Sequence, residues 1–177
     1  MRNLARRAKV SHNAPYRHFS DREALLAALA TEGFAMLGEA QRNAAETGGL
    51  RGMGEAYVRF ALEHPQRFRL MFGGQVSIAK NPRLREVATR VFDGLSGALA
   101  AHVPELGGAG GASSVDGLPA PAARDASIAA WALVHGFAQL LLDERIAAAA
   151  RRGRDQQTFV REVLGAVRFI ARPAQPT

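Results

Sequence analysis

The 177-residue chain has no cysteine, which excludes a disulfide framework, a thiolate metal site and a cysteine nucleophile. It also lacks a glycine-rich phosphate loop, an H-E-x-x-H pair, a serine nucleophile elbow and paired carboxylates in an apolar setting. His64, His102 and His135 are too scattered along the chain to propose a metal site. The chain is therefore not expected to be an enzyme, and neither cofactor nor metal is expected. The basic start is not followed by the apolar run of about 7–15 residues that a secretory signal needs. The longest nearly apolar stretch, Ile128 to Leu142, is 15 residues and holds His135 and Gln139, short of the roughly 20 residues of a bilayer span. It reads as a buried core helix, and the expected setting is the cytoplasm, with no membrane partner.

What the chain does have is apolar content, at 47%, and a formal charge of +7. That is enough apolar residue to bury a real core. Of the 23 basic residues 21 are arginine, and Met1 to Glu23 holds six basic against two acidic residues, a net +4. A basic cluster on one small module is the electrostatic footprint of a nucleic-acid binder. A membrane-surface protein fits less well, because the basic residues sit on a turn-broken module and not on one long amphipathic face.

Alanine is abundant, β-branched clusters are rare and no stretch sustains period-2 alternation, so the chain reads as all-α, with six or seven helices. Asn3 to Ala8 and Ser11 to His18 are two short helices joined by a turn at Lys9 and Val10, with Ser11 as N-cap of the second. Ser20, with Glu23 three residues on, has the capping-box pattern for a helix running to about Ala45. Thr47 to Gly49 breaks it, and Gly52 to Glu63, Gln66 to Phe72 and a stripe from Pro82 through Leu99 follow. Residues 103–121, rich in glycine, proline and serine, read as a flexible loop. Two further helices are expected over Arg124 to Arg151 and Asp155 to Ala171. Residues 1–37 form a helix-turn-helix module with the start of a connecting helix, and residues 38–177 a helical bundle.

In such a module the second helix enters the DNA major groove. Ser11 and Asn13 can hydrogen-bond phosphates or bases, Tyr16 and His18 can reach the backbone, and Arg17 and Arg22 supply charge. The competing reading is a helical hairpin with a solvated basic face.

The string LARRAKVSHNAPYRHFSDREALLAALA resembles the start of the TetR/AcrR family of one-component transcriptional regulators, on Val10-Ser11, Tyr16, Phe19 and Arg22-Glu23-Ala24-Leu25. The resemblance implies that His12, Asn13 and Ala14 face bases, that Tyr16 and His18 hold phosphates, and that Arg22 holds another. The segment WALVHGFAQLLLDERI, with Trp131, His135 and Gly136, is similar to a C-terminal domain type of that family named for its Trp, His and Gly. Two departures stand out: Lys9 occupies the usual turn glycine, and the further helix with which the family's modules begin is missing ahead of Asn3. This form is then expected to bind DNA weakly or not at all, which leaves a dimeric ligand-binding body as the alternative function.

The resemblance also implies a repressor released from a palindromic operator by a small apolar or amphipathic effector held in the body. Candidate lining residues there are Tyr57, Phe60, His64, Phe68, Met71, Phe72, Phe92, Trp131, His135 and Phe137, although aromatic residues at helical spacing are more often plain core. A final helix with a stripe broader than one neighbour needs, and paired half-sites roughly 34 Å apart, point to a homodimer. Leu141, Arg145, Val160, Val163, Leu164 and Val167 are the expected interface.

Overall fold

The computed structural model describes residues 6, 11, 14, 17–102 and 121–167. The expectations for His12, Asn13, Tyr16, the Lys9 turn, the loop up to residue 120 and the end of the last helix lie outside the described residues. Among the described residues there are six helices: α1 (Arg22–Glu63), α2 (Pro65–Phe72), α3 (Pro82–His102), α4 (Pro121–Leu142), α5 (Ala148–Arg151) and α6 (Gln156–Gly165). The fold is all-α, and α1 packs against α2, α3, α4 and α6.

The N-cap of α1 is Asp21 and not Ser20: its Oδ1 accepts from the Ala24 N–H at 2.8 Å, and the Ser20 hydroxyl donates to the same carboxylate. A carboxylate is the stronger acceptor and suits the positive end of a helix. The bond from Ala24 holds the Asp21 pKa below its ordinary value.

The first arm of α1 buries Ala27, Ala30, Phe34 and Leu37 at three- and four-residue spacing, the stripe that periodicity predicts. At Gly49 the helix kinks, with φ 54° and ψ −145°, a conformation open in practice only to glycine. Gly52 closes the bend, since a Cβ there would collide with the Ala44 carbonyl oxygen. The expected break therefore falls inside one bent element that faces the core from two directions. Gly49→Ala is expected to cost about 2 kcal/mol in a urea melt. An unchanged midpoint would show that the bend relaxes without strain.

Pro65 opens α2 at a position where no N–H is needed. The long helix expected from Arg124 to Arg151 instead ends at Leu142. Glu144 adopts φ 52°, and the Arg145 N–H closes back on the Leu140 carbonyl at 2.9 Å, a left-handed stop that periodicity does not reveal. Asp155 caps α6 through the Thr158 N–H at 2.9 Å.

The core gathers Phe34, Leu37, Val58, Phe68, Leu84, Phe137, Leu141 and Phe159 from five of the helices.

Candidate effector cavity and DNA-facing end

The two arms of α1, the end of α2, α3, α4 and α6 do not close completely, and a cavity of about 590 Å³ remains between them. That is the size of a small-molecule site. Its wall is largely apolar, with Phe34, Tyr57, Phe72, Phe92 and Trp131 set among aliphatic side chains. Phe34 meets Phe72 edge-on with centroids 5.2 Å apart, and Trp131 sits 6.2 Å from Phe72 and 6.4 Å from Phe92.

One polar chain runs through this wall. The Trp131 indole N–H donates to the Tyr57 hydroxyl at 3.2 Å, and that hydroxyl lies 2.8 Å from His135 Nδ1. His135 stacks on Phe68 at 5.3 Å and meets Phe72 edge-on at 4.9 Å. Burial pushes the Tyr57 phenol up and the His135 imidazole down. Both groups are therefore held neutral. Tyr57 has one proton to give and its oxygen already accepts from Trp131, so the consistent pattern has Tyr57 donating to Nδ1, with the imidazole proton on Nε2.

The depressed His135 pKa has a definite sign for stability. The unfolded chain takes up this proton near pH 6.5, while the folded chain resists until lower pH. The stabilisation is fully present above the unfolded pKa and is lost as pH falls through the folded one. The melting temperature is expected to drop more between about pH 7.5 and 5.5 in the wild type than in His135→Gln. Equal drops would contradict the account of a desolvated imidazole.

Of the residues singled out from sequence, Tyr57, Phe72, Phe92 and Trp131 line the cavity. Phe60, Phe68, Met71 and Phe137 are buried in the core away from it. His64 lies against Phe60 at 5.1 Å, and His135 stands behind Tyr57. Leu164 and Val167, expected at a subunit contact, line the cavity in the single chain. Sequence reasoning missed Phe34, Leu37, Gln41, Val91 and Leu95, which also form part of the wall. Gln41 carried a legible signal, as a polar residue that continues the apolar spacing of Phe34 and Leu37.

The opposite side of α4 is bare. Of the six large apolar side chains that are most exposed, four lie on this helix: Ile128 and Leu140 on this side, and Trp131 and Leu133 where they also line the cavity. Ile128 and Leu140 are 48% and 47% exposed, and Ala129 and Ala132 lie exposed beside them. By contrast Leu141, Val160 and Leu164 are buried within the chain's own core, Val163 is half-buried and Arg145 is exposed. The stretch Arg124–Leu142 is apolar and long enough to cross a membrane, and only 28% of its most apolar window is buried.

At the start of the chain Ser11, Arg17, His18 and Arg22 are exposed and Ala14 is half-buried. The Ala14 N–H donates to the Ser11 carbonyl at 3.0 Å and the Arg17 N–H to the Ala14 carbonyl at 3.3 Å. Arg17, His18 and Arg22 are thus presented to solvent just ahead of and at the first turn of α1. Among the described residues no group of three or more His, Asp or Glu is placed to hold a metal ion.

Residues 1–29 match the family profile described as "Bacterial regulatory proteins, tetR family", and residues 50–167 match "Tetracyclin repressor-like, C-terminal domain". Among solved structures, a protein of unknown function from Rhodococcus sp. RHA1 is similar with a TM-score of 0.66 and 29% identity, covering 93% of this chain and 80% of that one. A candidate regulatory protein designated SCO4313 also gives a TM-score of 0.66, at 24% identity over 92% of this chain and 81% of that one, a likeness of fold alone. No curated protein gives a significant match.

Proposed function

The chain belongs to the TetR family of bacterial regulatory proteins and is a transcriptional regulator; from this premise we propose that it is a homodimeric, cytoplasmic repressor, released from a palindromic operator when a small molecule fills the cavity. The observation that carries this reading is the position of the cavity against α1. Phe34, Leu37 and Gln41 on its first arm form part of the wall, and the same helix begins at Arg22, directly after the exposed Arg17 and His18. A ligand that displaces this arm moves the DNA-facing end with it. Regulators of this family are DNA-binding proteins and not enzymes, which agrees with the missing catalytic motifs.

The bare face of α4 supports the dimer. Ala129, Ala132 and Gly136 let a second copy approach closely, while Ile128 and Leu140 supply apolar area. A membrane is a poorer partner for this helix. Its other side holds Ala130, Phe137, Ala138 and Leu141 in the core, and insertion would strip them from it.

Arg17, His18 and Arg22 are expected to hold phosphates, with Ser11, His12, Asn13, Ala14 and Tyr16 completing the reading surface. The test is salt dependence measured by fluorescence anisotropy on duplex DNA. Affinity is expected to fall by roughly three orders of magnitude between about 50 and 200 mM salt. Arg17→Ala and Arg22→Ala should each lower the slope by about one for every phosphate the arginine neutralises. Salt-insensitive binding, or slopes unchanged by both substitutions, would contradict this assignment.

A further inference from the structure

Gln41 is not explained by folding. It sits on α1 one turn beyond Leu37, where an apolar residue would continue the stripe, and it is 6% exposed. Its side chain lines the cavity, yet its Oε1 is sealed from solvent and has no hydrogen-bond partner. Buried polar atoms are almost always paired, so an orphan in a ligand-sized cavity marks a partner that arrives from outside. An amide carbonyl only accepts, and the arriving group must therefore be an O–H or N–H.

The rest of the wall limits the ligand further. Among the described residues no carboxylate lines the cavity, so none of them would neutralise a cation that entered this apolar space. The two lining groups that can carry positive charge, Arg51 and His102, are both exposed, and Arg51 already lies 3.6 Å from Glu55, so neither is a buried partner for an anion. Phe34, Phe72, Phe92 and Trp131 offer ring faces and edges to a flat apolar body.

We infer that the cavity takes an uncharged, ring-bearing apolar molecule with one hydroxyl or N–H donor, which the Gln41 carbonyl accepts. This deepens the effector reading above and rests on it.

Trp131 is the only tryptophan and lines the cavity, so quenching of its emission reads occupancy directly. Four probes with a common frame separate the possibilities in the full-length chain: 4-octylphenol, its methyl ether, 4-octylbenzoate and 4-octylbenzylamine. The phenol is expected to bind about tenfold more tightly than the ether, which lacks only the donor. Both charged probes should bind more weakly than the phenol. Gln41→Leu removes the orphan and should melt no lower than the wild type; it should keep the affinity for the ether while losing the tenfold preference for the phenol. Equal affinities in the wild type, a charged probe binding most tightly, or a preference that survives Gln41→Leu would each overturn the donor assignment and leave the effector site standing. If none of the four quenches Trp131 or raises the melting temperature, the effector reading falls together with the inference.

Discussion

Ala132→Glu is expected to turn the dimer into a monomer and to lower affinity for a two-half-site operator by about a hundredfold or more. Ala132 is exposed at the middle of the outward face of α4, with Ile128 and Leu133 beside it, so the new side chain meets no atom of its own core. In a two-fold contact each substitution counts twice and the carboxylates face each other. An unpaired charge buried at a contact costs about 3–5 kcal/mol, and two of them would carry a roughly nanomolar dissociation constant above the micromolar range. Light scattering at micromolar concentration reads the mass, and helical content should be unchanged. A dimer that survives the substitution would move the contact away from α4.

Phe68→Ala is expected to destabilise the fold by about 4 kcal/mol, the range found when a large aromatic side chain is removed from a packed core. Phe68 is fully buried at 0% exposure. Its ring packs against Phe72 at 4.9 Å, His135 at 5.3 Å and Tyr57 at 5.7 Å. Truncation opens a void under the polar chain that links Trp131, Tyr57 and His135, and the surrounding helices are held by several partners and relax only in part. Phe68→Leu, which retains most of the volume, should cost less than half as much. A urea melt checks both, and a destabilisation below about 1 kcal/mol for the alanine variant would mean that the core collapses freely around the site.

The helices and the core stripe were legible because periodicity records which face of a helix is buried. Phe34 and Leu37 on α1, and Leu84 and Leu99 on α3, follow directly from spacing. The cavity was not legible in the same way. Phe68 and Phe72 are one turn apart on α2, yet the first is sealed in the core and the second faces open space. What separates them is the distance between helices that the sequence places far apart, and no local pattern encodes that distance. The stop at Leu142 was hidden for a related reason, since Glu144 enters the left-handed region without a glycine to announce it. On α4 apolar residues run around the whole circumference, so the pattern could not tell the core side at Phe137 and Leu141 from the bare side at Ile128 and Leu140. Gln41 was the exception, a misplaced polar residue visible in the spacing itself.

The central claim is that this chain is a dimeric reader of duplex DNA. Repeated selection of bound fragments from a random-sequence duplex pool tests it most directly, because no operator need be known beforehand. The expected product is an inverted repeat whose half-sites lie about one helical turn apart, bound less well once a cavity ligand is added. A pool that remains random after selection, or enrichment of a single unrepeated site, would contradict the account.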